Sequence, residues 1–102
     1  KEMVQVVMAK QFKNGDFRSG YYRDQTLMMA IGQLTVKEYF ASLYADPNLD
    51  REPQTGGRQM NGHFATRNLN PDGSWKNLME QKNSSADISP TAGQMARMVG
   101  LA

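Results

Sequence analysis

Thr35-Val36-Lys37-Glu38-Tyr39-Phe40-Ala41-Ser42-Leu43-Tyr44 is the most strongly patterned stretch of this sequence. Thr35 followed three residues later by Glu38 is a capping box: the hydroxyl serves the Glu38 amide and the carboxylate reaches back to the Thr35 amide. Val36, Tyr39, Phe40, Leu43 and Tyr44 recur at i, i+3, i+4, i+7 and i+8, the spacing of one helix face. Asp46-Pro47 ends the run, because a residue before proline is pushed out of the helical region. The pattern sets a helical class, and weaker helical signals flank it.

Toward the N-terminus, residues 24–31 read as a helix with Asp24 as N-cap and Gly32 as its stop. Residues 3–12 place Met3, Val4, Val7, Met8 and Phe12 near one face, and Asn14-Gly15 closes that stretch. The β-branched Val4, Val6 and Val7 keep a strand as the alternative there. Residues 17–23, with Phe17, Tyr21 and Tyr22, read as a short strand. Toward the C-terminus, Ser89-Pro90 opens a fourth helix, with serine as cap and proline at the first helical position. Ala92, Met95, Val99 and Ala102 form its stripe.

Residues 46–88 lack periodicity. They carry Pro47, Pro53 and Pro71, Gly56, Gly57, Gly62 and Gly73, and many asparagines; Ser74 opens a short turn over 75–79. Irregular loops beyond about 12–15 residues are uncommon unless functional or disordered. Phe64 and Trp75 argue against disorder, so this region is expected to pack on something. The expected fold is mainly α-helical, with a long irregular loop and at most short strands.

Composition narrows the function. A chain of 102 residues is one domain at most. No apolar run approaches the roughly 20 residues of a membrane span. The absence of cysteine excludes a disulfide scaffold, a thiolate metal site and a cysteine nucleophile. His63 is the only histidine, which excludes a multi-histidine metal cluster within the chain. Twelve basic against ten acidic residues is too balanced to argue for nucleic acid or an anionic membrane. The chain starts at Lys1 and is apolar to its last residues, Met98-Val99-Gly100-Leu101-Ala102. It reads as an excised segment of a longer protein, with a frayed terminal helix as the other reading.

Several residues bear chemistry. Arg23, just before a helix start, suits a phosphate; the competing reading pairs it with Asp24 or Asp16. Gly56-Gly57-Arg58-Gln59-Met60-Asn61-Gly62-His63 is a glycine-rich basic loop without the spacing of a P-loop or a dinucleotide fingerprint. Its imidazole serves acid–base work only beside placed partners, and a lone loop histidine is more often structural. Ser84, Ser85 and Ser89 sit in no Gly-x-Ser-x-Gly elbow, which speaks against a hydrolase. Arg18, Arg23, Arg58 and Arg67 among Tyr21, Tyr22 and Phe64 are a weak single-strand nucleic-acid signal. The eight methionines read as gap-fillers of a core.

Four motifs stand in one order: Tyr22-Arg23-Asp24; the amphipathic helix ending Leu43-Tyr44-Ala45; Gly57-Arg58-Gln59-Met60-x-x-His63-Phe64; and Ser89-Pro90-x-Ala92-x-Gln94. Together they resemble the alpha subunit of the thiamine-diphosphate-dependent 2-oxo acid dehydrogenase first component, over residues 17–102. The Gly-Arg-Gln-Met-x-x-His form is closer to the branched-chain (2-oxoisovalerate) enzymes than to those acting on pyruvate or acetoin.

The resemblance implies an α/β parent with the thiamine-diphosphate-binding fold, of which residues 1–102 are an amino-terminal cofactor-binding piece and 46–88 a long active-site loop. It implies oxidative decarboxylation of a branched-chain 2-oxo acid with acyl transfer to a lipoyl-bearing second component. Tyr22 and Arg23 inherit contacts to the cofactor diphosphate, and Ser89 a place at its aminopyrimidine. Thr91 stands where the family has a bulky apolar residue supporting the bent cofactor. His63 inherits a catalytic place at the active-site entrance, facing substrate. Gln94 matches the family's potassium motif, although Ile88 replaces a serine and Gly93 a threonine. The magnesium ligands, a Gly-Asp-Gly…Asn motif, are not in this sequence. The carboxylate that activates the aminopyrimidine belongs to a beta subunit, separate or fused, so the piece alone is expected to be inactive. The implied location is the bacterial cytoplasm, or an organelle matrix after presequence removal. Outside this resemblance stand a nucleic-acid-binding module and a purely structural assembly segment.

Overall fold

The computed structural model describes residues 1–59 and 62–102, so Met60 and Asn61 of the glycine-rich loop lie outside the described residues. Along the chain run α1 (Glu2–Gln11), β1 (Phe17–Arg18), α2 (Gln25–Ala30), α3 (Val36–Leu43), a 3-10 turn (Leu78–Glu80), β2 (Asn83–Ser84) and α4 (Gly93–Leu101). The result is a small, mostly helical domain with a two-stranded sheet, as the helical signals led one to expect.

α3 forms for the local reason its sequence gives. The Thr35 hydroxyl accepts from the Glu38 amide at 3.1 Å, and the Glu38 carboxylate accepts from the Thr35 amide at 2.7 Å. Two of the donors a helix start leaves bare are thereby satisfied. α2 is capped differently from the sequence reading. Asp24 is its N-cap residue but makes no side-chain cap bond. The buried Gln5 of α1 supplies the acceptor instead, its Oε1 taking the Leu27 amide at 2.9 Å. Gly32, with φ of +79°, closes α2 as expected, since the left-handed region costs glycine little.

The core is Leu27, Met28, Leu34 and Phe64, with Ala9, Met29, Ile31 and Tyr39 packed against it. Only part of the expected apolar stripes lies inward. On α1 the buried residue is Gln5, and Met3, Val4, Val7 and Met8 face solvent. α1 meets α2 through its Gln5–Ala9 side, where the Leu27 amide has to be capped. α4 buries none of its residues. It also starts later than Ser89-Pro90 suggests: the N-cap is Ala92, at φ of +66°, and the helix begins at Gly93.

Residues 46–88 are irregular yet closely hydrogen-bonded. Asp46, Asn48, Asp72 and Asn77 each accept from an amide two residues on, the bond that builds Asx turns. The Glu52 carboxylate, nearly inaccessible, accepts from the amides of Gln54, Thr55 and Gly57 and from the Thr55 hydroxyl. Phe64 packs into the core, as an aromatic in this loop should. Trp75 does not: it stands 72% exposed beside an isolated antiparallel bridge to Leu69.

Candidate functional site

Three extended segments lie side by side. β1 pairs in parallel with β2, Phe17 opposite Asn83 and Arg18 opposite Ser84. The ladder continues beyond the named strands: the Ser85 amide donates to the Arg18 carbonyl, Ile88 to Gly20, and Tyr22 to Ile88. On the other side, the Asp87 amide donates to the Phe64 carbonyl and the Thr66 amide to the Ser84 carbonyl, so residues 64–66 run in the opposite sense. This topology brings Tyr22, His63 and Ser89 to one end of the ladder, the carboxyl end of its parallel pair.

At that end the side chains meet. His63 Nε2 lies 2.5 Å from Ser89 Oγ, the direction of donation following the imidazole tautomer. The Tyr22 ring stacks on the imidazole with centroids 6.0 Å apart and planes at 21°. Tyr21 and Tyr22 are in contact at 4.5 Å. The Arg23 guanidinium lies 5.1 Å from the Tyr21 ring centre and 5.6 Å from that of Tyr22, within cation–π range. Hydrogen bonding from Thr91, then from Tyr22 and Arg23, holds the Tyr21 phenol below its ordinary value.

Arg23 is exposed, and among the described residues it makes no ion pair. Its two expected partners are engaged elsewhere. The Asp24 carboxylate meets Lys1 Nζ at 2.9 Å and the Tyr21 amide at 2.9 Å. Asp16 accepts from the Lys13 amide. One element of the sequence reading changes: the Leu27 amide in the first turn of α2 is taken by Gln5, and Asp24, the N-cap residue, turns its carboxylate to Lys1 and the Tyr21 amide. Whatever Arg23 attracts, it attracts through its own guanidinium.

Gln94 lies in the first turn of α4, and its Oε1 is buried with no hydrogen-bond partner among the described residues. An orphaned amide oxygen is an available ligand for a hard cation. Among the described residues no three acidic, histidine or cysteine side chains gather as a metal cluster. Nor, among them, is any helix long and apolar enough to cross a membrane.

The structure adds residues that the motifs did not single out. Tyr21 belongs to the cluster as fully as Tyr22, and the doubled tyrosine was the available signal. Beneath the cluster, Arg18 Nη2 pairs with Asp87 Oδ1, with 8% and 0% of the two side chains exposed. Burial pushes the Asp87 carboxyl up to about 6, although the Arg18 guanidinium and the Phe64 amide pull the other way. Burial likewise lowers Arg18, against the pull of Asp87. No spacing in the sequence announces that pair, since its members lie 69 positions apart. Compared with protein-family models, curated proteins and solved structures, the chain has no match.

Proposed function

We propose that this chain forms the thiamine-diphosphate-facing wall of the alpha subunit of a 2-oxo acid dehydrogenase first component, of the branched-chain (2-oxoisovalerate) type. The observation that carries the reading is the convergence of Tyr22, Arg23, His63 and Ser89, drawn from three distant segments, at one end of a parallel ladder. The carboxyl ends of parallel strands are where open α/β proteins place ligands.

The donor set suits the cofactor. Arg23, a planar fork free of carboxylate partners among the described residues, matches a diphosphate. Tyr22 lies under the same guanidinium and adds a phenol to that end. Ser89 and His63 form a hydroxyl–imidazole pair that suits a nitrogen-bearing ring such as the aminopyrimidine. The orphaned Gln94 oxygen suits potassium. Magnesium ligands and the activating carboxylate would come from other parts of the enzyme and from the beta partner.

When bound, thiamine diphosphate supplies the electron sink for decarboxylating a 2-oxo acid before the acyl group passes to a lipoyl arm. The residues here would bind and orient. Arg23 would neutralise diphosphate charge. Tyr22, stacked on His63, would fix the imidazole plane. Ser89, bonded to His63 Nε2, would set which imidazole nitrogen carries the proton offered to substrate. Against a Ser–His hydrolase, the buried carboxylate nearest Ser89 in sequence spends both oxygens elsewhere: Asp87 Oδ1 on Arg18 and Oδ2 on the Phe64 amide.

The test is equilibrium binding of thiamine diphosphate to the full-length chain with its beta partner. Saturable binding that requires magnesium is the expected result. Binding of oligonucleotides that collapses with salt, without cofactor binding, would favour the nucleic-acid module instead. Assembly with neither ligand would favour a structural segment. Turnover of 3-methyl-2-oxobutanoate against pyruvate and acetoin separates the substrate classes.

A further inference from the structure

We propose that Asp87, clamped by Arg18, is the positioning residue that brings His63 and Ser89 into contact. The role in cofactor binding rests on the reading above; the coupling of Asp87 to His63 does not.

Three bonds converge on Asp87, and two more on the residue after it. Its Oδ1 takes the Arg18 guanidinium, and its Oδ2 accepts from the Phe64 amide at 3.2 Å. Its own amide donates to the Phe64 carbonyl at 2.9 Å. Its neighbour Ile88 donates to the Gly20 carbonyl and accepts from Tyr22. The carboxylate thus ties all three segments at the layer just beneath the cluster. His63 is the residue before Phe64, Ser89 is two beyond Asp87, and Tyr22 is four beyond Arg18. A shift of Asp87 against Phe64 moves the His63 and Ser89 main chains apart directly.

The chain keeps space for this clamp. A Cβ on Gly20 would fall 1.7 Å from Arg18 Nη1 and 2.4 Å from Asp87 Oδ1, so any side chain there would displace the pair. A buried ion pair is a poor device for stability, since desolvation offsets most of its attraction. Its fixed geometry makes it a better device for register. Neither Arg18 nor Asp87 is exposed at the cluster, so both act through the residues they hold.

The single histidine makes the coupling readable. Imidazole 15N signals of the full chain report one residue, His63. Ser89→Ala gives the spectrum of a His63 without the Ser89 hydroxyl. Asp87→Asn keeps an oxygen for the Phe64 amide but removes the charge that holds Arg18. The expected result is that Asp87→Asn, folded by circular dichroism, moves the His63 signals most of the way to their Ser89→Ala positions. Wild-type His63 signals in folded Asp87→Asn overturn the assignment. If that variant does not fold, Arg18→Lys, which keeps the charge but loses the fork, must move the signals in the same direction; no movement there overturns it equally. In thiamine diphosphate and magnesium titrations, Asp87→Asn and Ser89→Ala should each weaken binding about tenfold, the scale of supporting residues around a ligand site. Together they should lose clearly less than the product, because one acts through the other. Fully multiplicative losses contradict the proposal. Failure of the wild type to bind would sink the functional reading, while the His63 spectra still decide the positioning role.

Discussion

Glu52 and Asp87 are both buried carboxylates, and they respond to acid in opposite senses. Burial alone would raise Glu52, but the Gly57 amide, the Thr55 hydroxyl and the amides of Thr55 and Gln54 together hold it below its ordinary 4.5. A carboxyl lowered in the folded state contributes stability above its unfolded pKa and loses it as pH falls through the folded one. Glu52→Gln offers one acceptor oxygen where two are used, and should cost about 1–3 kcal/mol in urea unfolding at neutral pH. Asp87 is raised from 3.8 to about 6 by burial, so the folded chain holds a proton there that the unfolded chain has released. Its contribution is therefore favourable below 3.8 and declines as pH rises to about 6. Urea unfolding from acid to neutral pH should show that decline in the wild type and lack it in Asp87→Asn. An unchanged slope in the variant would assign the effect to another group. Gly57 is a position where glycine's backbone freedom is needed: φ is +74°, and a Cβ would lie 2.5 Å from the Ala45 carbonyl. Gly57→Ala should therefore destabilise by about 2 kcal/mol or more, measured the same way.

At the scale of elements, what the sequence disclosed depended on whether the causes were local. α3 was legible because its cap, stripe and stop lie within ten consecutive positions, and the cap is formed as the pattern reads. Thr35→Ala should cost about 1 kcal/mol, with the loss confined to slower-to-faster amide exchange in α3. The start of α4 was misread because Ser89 is engaged by His63, 26 positions away, and so does not cap a helix. Asp24 holds the N-cap position as its place in the sequence suggests, but its side chain does not cap: Gln5 serves α2 from another helix. β2 had no local signal, since Asn83-Ser84 is short and polar; it exists through the Arg18 side of the ladder and the Thr66 hydroxyl, which accepts from the Ser84 amide. Tyr22, Arg23, His63 and Ser89, which the motifs single out, meet in the cluster, whereas no motif points to the Arg18–Asp87 pair beneath it.

For the molecule as a whole, a radius of gyration of 13.5 Å matches the roughly 13 Å of a packed 100-residue domain. The buried apolar core is nevertheless small, and Met3, Val7, Met95 and Val99 all stand exposed on α1 and α4. Exposed apolar faces of this kind drive association. Sedimentation of the chain alone should show self-association that rises with concentration and is relieved by Val7→Glu with Val99→Glu; a monomer at every concentration would count against it. The central claim concerns the cluster at the end of the ladder, and calorimetry addresses it most directly. Thiamine diphosphate with magnesium would be titrated into the full-length chain with its beta partner, wild type beside Arg23→Ala. Arg23 has no carboxylate to lose among the described residues, so its removal should leave the fold intact. The expected result is saturable wild-type binding weakened by about 1–3 kcal/mol in the variant, the size of a charge-assisted phosphate contact. Equal binding by both would contradict the diphosphate role of Arg23, and no binding by either would contradict the cofactor site itself.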